Sequence, residues 1–124
     1  MRLHHLAIRV RDLDAALAFY RDALGLAETA RPRPGSIWLA LGDATLMLEE
    51  TSGTREPEPF ETTRPGLHAI ALAVDASERD AWEARLAARG IVVHHRTAHT
   101  LYLRDPEGNR VALSHHPLVI SAAP

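Results

Sequence analysis

The sequence predicts an α+β domain built from two similar β-α-β-β-β modules, and three observations carry this reading. The segment His4-His5-Leu6-Ala7-Ile8-Arg9-Val10 returns as His68-Ala69-Ile70-Ala71-Leu72-Ala73-Val74. Repetition at this scale marks two copies of one supersecondary unit. Each copy is followed by a run of helical spacing, and each helix by short runs bounded by Gly and Pro, as strands joined by turns are.

Taken in order, residues 3 to 10 alternate, with Leu6, Ile8 and Val10 on one face and His5, Ala7 and Arg9 on the other. Asp12 offers an N-cap, and Leu13, Ala16, Leu17, Tyr20 and Leu24 follow at helical spacing until Gly25 supplies the stop. Arg31-Pro32-Arg33-Pro34-Gly35 reads as a loop, and Ile37–Leu41 and Thr45–Glu49 as strands around a Gly42-Asp43 turn. Pro57, Pro59 and Pro65 mark a connection over 51–66, with Phe60 as its apolar anchor. In the second module the strand at 68–74 leads to Ser77, an N-cap with Asp80 three residues on. Trp82 and Leu86 then share a core-facing helical stripe, and Gly90 ends the helix. Ile91–Val93 and Thr100–Arg104 read as strands, Asp105-Pro106-Glu107-Gly108 as a type I turn, and Arg110–Ser114 as the last strand. The expected organisation is a single domain over 1–124, with modules at about 1–50 and 67–117 and a short tail at 118–124. Each sheet should bury one face under its helix and leave the other lining a hollow.

Composition narrows the function classes. At 124 residues the chain is long enough for a real core without staples. A formal charge of -2 without a basic stripe argues against a nucleic-acid partner. Cysteine is absent, so thiolate metal sites and thiol nucleophiles are closed; lysine is absent too, which closes Schiff-base chemistry. No apolar run reaches membrane-spanning length and no apolar signal core opens the chain, so a cytoplasmic protein without a membrane partner is expected.

Several stretches are shared with a known family. They are His5-Leu6-Ala7-Ile8-Arg9-Val10-Arg11-Asp12-Leu13, Phe19-Tyr20-Arg21-Asp22-Ala23-Leu24-Gly25-Leu26, Leu46-Met47-Leu48-Glu49, Ile70-Ala71-Leu72-Ala73-Val74 and Tyr102-Leu103-Arg104-Asp105-Pro106-Glu107-Gly108-Asn109. In this order they resemble the vicinal oxygen chelate superfamily, the glyoxalase, bleomycin resistance protein and extradiol dioxygenase type. The resemblance covers nearly the whole chain. It implies two paired βαβββ modules forming a cup-shaped mixed sheet, and a homodimer.

In members that do metal chemistry, four inward positions hold a divalent ion that polarises a substrate oxygen. Matched onto this sequence, those positions are His5, Met47, Ala69 and Ala112. Alanine has no donor atom and a thioether suits soft ions, so one sound ligand of four remains and no metal cofactor is expected. Glu49, Ser114 and His116 are displaced by about 7 Å along their strands, too far to restore a ligand set by themselves.

The candidate ligand-binding residues are His5, Arg9, Trp38, Met47, Glu49, Ala69, Tyr102, Ala112 and Ser114. His5 is either a cavity-lining polar residue or an acid–base group. Arg9 either pairs with Glu49 or meets an anionic ligand. Glu49, if poorly paired, is a candidate base. Tyr102 and Trp38 line the hollow or belong to the core. Met47, Ala69 and Ala112 with Ala71 and Ala73 would leave room for an apolar ligand. His94, His95, His115 and His116 read as solvated groups at strand ends. The expected function is metal-independent binding of a small, partly apolar molecule by a sequestering or carrier protein. The alternative is a lyase, isomerase or dioxygenase with an atypical metal site including His5.

Overall fold

The computed structural model describes residues 1–53, 56, 58 and 60–117. The tail at 118–124 and part of the connection lie outside the described residues. Two compact units are present, Met1–Pro59 with Asp105–Gly108 and Phe60–Arg104 with Asn109–Pro124. Each holds a four-stranded mixed sheet, as the two-module reading expects.

In the first unit, β1 (His5–Val10) is followed by α1 (Leu13–Leu17), which widens into a π-helical segment at Ala18–Ala23. The strands β2 (Glu28–Arg33), β3 (Ser36–Leu41) and β4 (Ala44–Glu50) follow, and the sheet order is β1-β4-β3-β2. β1 runs parallel to β4, and the other neighbours are antiparallel. The Asp12 carboxylate accepts the Ala15 N–H at 3.0 Å and caps the helix as expected. Alternation sends Ile8, Val10, Ile37, Leu39, Leu46 and Leu48 into the core. Leu39 and Leu48 are wholly buried, each contributing about 2 kcal/mol of apolar transfer free energy. The 31–35 stretch departs from the loop expectation: Glu28–Arg33 is an outer strand, and only Pro34-Gly35 turns the chain. Pro32 fits there because an edge residue needs no N–H on its outer side.

In the second unit, β5 (Ile70–Ala73) precedes a 3₁₀ turn at Ala76–Glu78 and α2 (Arg79–Ala88). Then come β6 (His95–Arg96), β7 (Thr100–Arg104) and β8 (Arg110–Ser114), in the order β5-β8-β7-β6. Leu101, Leu103, Val111, Leu113 and the helical Leu86 are buried. Two expectations about the entry to this module are corrected. Ser77 lies inside the 3₁₀ turn, so α2 starts at Arg79 without a side-chain cap. Ile91–Val93 forms no strand; β6 is the two residues His95 and Arg96 instead. Trp82 is half-buried instead of core, with the Arg85 guanidinium 5.3 Å from its ring centroid.

The β7–β8 turn belongs to the first unit, and a buried polar contact explains why. The Tyr20 hydroxyl, on the π-helical segment, donates to Asp105 Oδ2 at 2.6 Å. Asp105 Oδ1 accepts the Glu107 N–H, and the Gly108 N–H closes the turn onto the Asp105 carbonyl. Burial, and then the neighbouring Asp105 carboxylate, push the Tyr20 hydroxyl far above its ordinary pKa. The folded state therefore prefers the protonated phenol. Its contribution is complete below the unfolded-state pKa of 10.0 and is lost as pH rises beyond it.

Tyr20→Phe removes the donor and leaves a buried carboxylate one partner short, so it should cost roughly 2 kcal/mol in urea unfolding at neutral pH. The gap to wild type should narrow as pH climbs above the ordinary tyrosine range; a constant gap would mean the phenol is not the group involved.

Candidate functional site

The open face of the first sheet is assembled by register. His5, Ala7 and Arg9 on β1 stand beside Thr45, Met47 and Glu49 on β4. These in turn face Ala40, Trp38 and Ser36 on β3, and Ser36 faces Arg33 on β2. Side chains alternate across a strand, so these residues share the face opposite the leucine-rich core. The result is three cross-strand rows: His5-Thr45-Ala40, Ala7-Met47-Trp38 and Arg9-Glu49-Ser36-Arg33.

The third row is internally bonded. Glu49 accepts from the Ser36 hydroxyl at 3.0 Å and pairs with the Arg33 guanidinium at 3.1 Å. The Trp38 indole N–H donates to Ser36 Oγ at 3.2 Å, which holds the ring against the row. Gly35, at φ +79, gives the tight turn that folds Arg33 back beside β3. Glu49 is thus well paired, which removes the condition on which a base role rests. Its partner is Arg33, not Arg9 as the pairing expectation had it. Arg9 is exposed and has no hydrogen-bond or ion-pair partner among the described residues. It borders a cavity of about 410 Å³ that is also lined by Arg33, Pro34, Gly35, Glu49 and Glu50.

His5 is exposed at the other end of β1, its Nδ1 2.8 Å from His4 Nδ1. Trp38 and Met47 are half-buried and adjacent in the middle row. The first unit therefore brings together five of the nine residues anticipated. Sequence reasoning passed over Arg33 and Ser36. Extending the β3 alternation back by one residue from Trp38 would have put Ser36 on the open face.

The other four residues lie in the second unit. Ala112 on β8 stands between Ala71 and Tyr102 and is 1% exposed, so its methyl is covered instead of forming open floor. Ser114 is engaged locally, sharing a hydrogen bond with Thr100 Oγ1 at 2.8 Å and accepting the His116 N–H. Tyr102 is half-buried beneath the Arg110 guanidinium, at 3.8 Å from ring centroid to carbon. Ala69 precedes β5 and is half-buried. Among the strand-end histidines, His115 differs from the solvated expectation: its Nε2 is buried without a hydrogen-bond partner.

The divalent ion that the family resemblance implies does not fit these residues. Of the four positions only His5 carries a suitable donor. Among the described residues, no group of three or more His, Asp or Glu side chains is arranged to hold a metal ion. Nor is any described helix long and apolar enough to cross a membrane.

Comparison with known proteins agrees with this architecture. The family model described as Glyoxalase/Bleomycin resistance protein/Dioxygenase superfamily matches residues 2–113. A glyoxalase/dioxygenase from Nostoc punctiforme superposes with a TM-score of 0.79 at 22% identity, covering 90% of this chain and 88% of that one. A lactoylglutathione lyase from Agrobacterium tumefaciens gives 0.69 at 27% identity, covering 91% and 92%. The fosfomycin resistance protein FosX from Mesorhizobium loti gives 0.73 at 17% identity, covering 94% and 93%.

Ser36→Ala should break the relay between Trp38 and Glu49 at a cost of about 1 kcal/mol. In a Trp82→Phe background Trp38 is the sole indole, and its emission should change on this substitution. An unchanged spectrum would show that the ring is held by packing alone.

Proposed function

Because the chain belongs to the glyoxalase/bleomycin resistance protein/dioxygenase superfamily, we propose that it binds a small, partly apolar, anionic molecule without a metal ion. The open face of the first sheet is the binding surface. The role is sequestration or carriage by a cytoplasmic homodimer; family membership supports the dimer, and composition supports the compartment.

One observation carries the reading: Arg9 is a guanidinium beside a cavity with no protein acceptor among the described residues. Arg33 is neutralised by Glu49, so Arg9 is the cation left to meet a ligand. A carboxylate or similar group there gains charge-assisted, two-pronged hydrogen bonds. The neighbouring row of Ala7, Met47 and Trp38 offers apolar and polarisable surface for the rest of the molecule. His5 lies four residues from Arg9, roughly 13 Å along the strand, which sets the span over which polar ends can be recognised. Met47, Ala69 and Ala112 at three of the four ligand positions support metal independence.

Titrating Trp38 fluorescence in the Trp82→Phe protein with aromatic carboxylates and their amides tests the polar contact. Arg9→Gln should weaken carboxylates by about tenfold and leave the amides unchanged; equal loss for both series would place recognition elsewhere. Metal analysis of untagged protein tests the other half. Stoichiometric Fe, Mn, Ni or Zn that disappears in His5→Ala would replace this reading with a metalloenzyme.

A further inference from the structure

The second unit carries an unneutralised pair of cations that the first-sheet site does not use. Arg104 and Arg110 stand directly opposite each other on β7 and β8. Like charges in that relation repel. Neither has an acidic partner among the described residues. Aromatic rings hold them instead. The Arg110 guanidinium carbon lies 3.8 Å from the Tyr102 ring centroid and 4.7 Å from that of Phe60. The Arg104 carbon lies 5.6 Å from the same Phe60 ring.

Rings satisfy a guanidinium through its flat faces and leave its N–H edges for acceptors. One Arg110 N–H edge meets His68 Nε2, and the His68 ring packs edge-on against Phe60 at 5.2 Å. The remaining edges of both arginines have no protein acceptor among the described residues. The internal repeat shows that the fold does not require charge at these positions. Trp38 faces Met47 as Tyr102 faces Ala112, so the counterparts of Arg104 and Arg110 in the first module are Ala40 and Thr45. The pair is an addition to the scaffold, and Phe60 reaches it from the connecting segment.

We infer that Arg104, Arg110 and His68, braced by Phe60 and Tyr102, form a second anion site that takes a phosphate group, free or on a small ester. Two planar forks with no counter-charge match a tetrahedral dianion better than a single carboxylate, because each fork engages two oxygens. The site stands apart from the carboxylate recognition assigned to Arg9.

The test follows the arginine Nε–Hε signals by ¹⁵N NMR during titration with inorganic phosphate, with acetate and chloride at matched ionic strength as comparisons. Saturable shifts confined to Arg104 and Arg110, larger for phosphate than for acetate, are expected. Arg104→Gln, at an exposed position, should weaken phosphate about tenfold or more while keeping the wild-type melting profile. Arg110→Lys keeps the charge but loses the planar fork, and should weaken it as well. Arg89→Gln should leave affinity unchanged. Absence of saturation, equal response to chloride, or equal loss in Arg89→Gln would each overturn the assignment.

Discussion

A buried hydrogen bond of 2.6 Å between Tyr20 and Asp105 joins segments 85 residues apart, and much of the first unit is arranged around it. The carboxylate has little access to water, so it must be satisfied by protein groups. The phenol supplies one and the Glu107 amide another. Glu107 then uses its own carboxylate to accept the Arg11 amide and guanidinium, at 2.7 and 2.8 Å. Arg11 directly follows β1, the strand that presents His5 and Arg9. The contact therefore fixes the end of the strand on which the proposed binding residues sit.

Both sheets share one plan but differ on their open faces. Ser36–Glu49 in the first and Thr100–Ser114 in the second occupy equivalent places and are both hydrogen-bonded pairs. Around these common pairs the charges are distributed differently. The first face places Arg9 and Arg33 at the Glu49 end, and the second places Arg104 and Arg110 at the opposite end of its strands. Equivalent positions that keep the same polarity are explained by folding. Those that diverge, in a scaffold that tolerates either choice, are where recognition is most economically sought.

The core was legible because period-two alternation and leucine content report burial directly. Leu6 to Val10, Leu46 to Leu48 and Thr100 to Arg104 fall where the pattern puts them, as do Asp12 and the turn at 105–108. The failures share a cause. Pro32 looked like a loop residue because an edge strand tolerates proline, and β6 was misplaced because two residues contain no period. The acidic partner of Arg9 was misjudged because adjacency in register does not say which of two arginines reaches a carboxylate. That depends on the Gly35 turn returning Arg33 to the row. The Arg110–Phe60 contact was hidden for a similar reason, since no local pattern reveals which ring a chain crossing by way of 60 brings back to β8.

The wide helical segment at Ala18–Ala23 bears on how this chain can change. A π-helical segment commonly arises from an extra residue within a regular helix, and such insertions persist when they aim a side chain. Removing one residue here would let the backbone relax to ordinary helix, yet rotate everything beyond the cut by about 100°. Phe19 and Tyr20 could not then both keep their present directions. The segment is consequently a place where substitution is easier to accommodate than a change of length, and natural or engineered deletions should be rare there even though they would shorten an irregular turn.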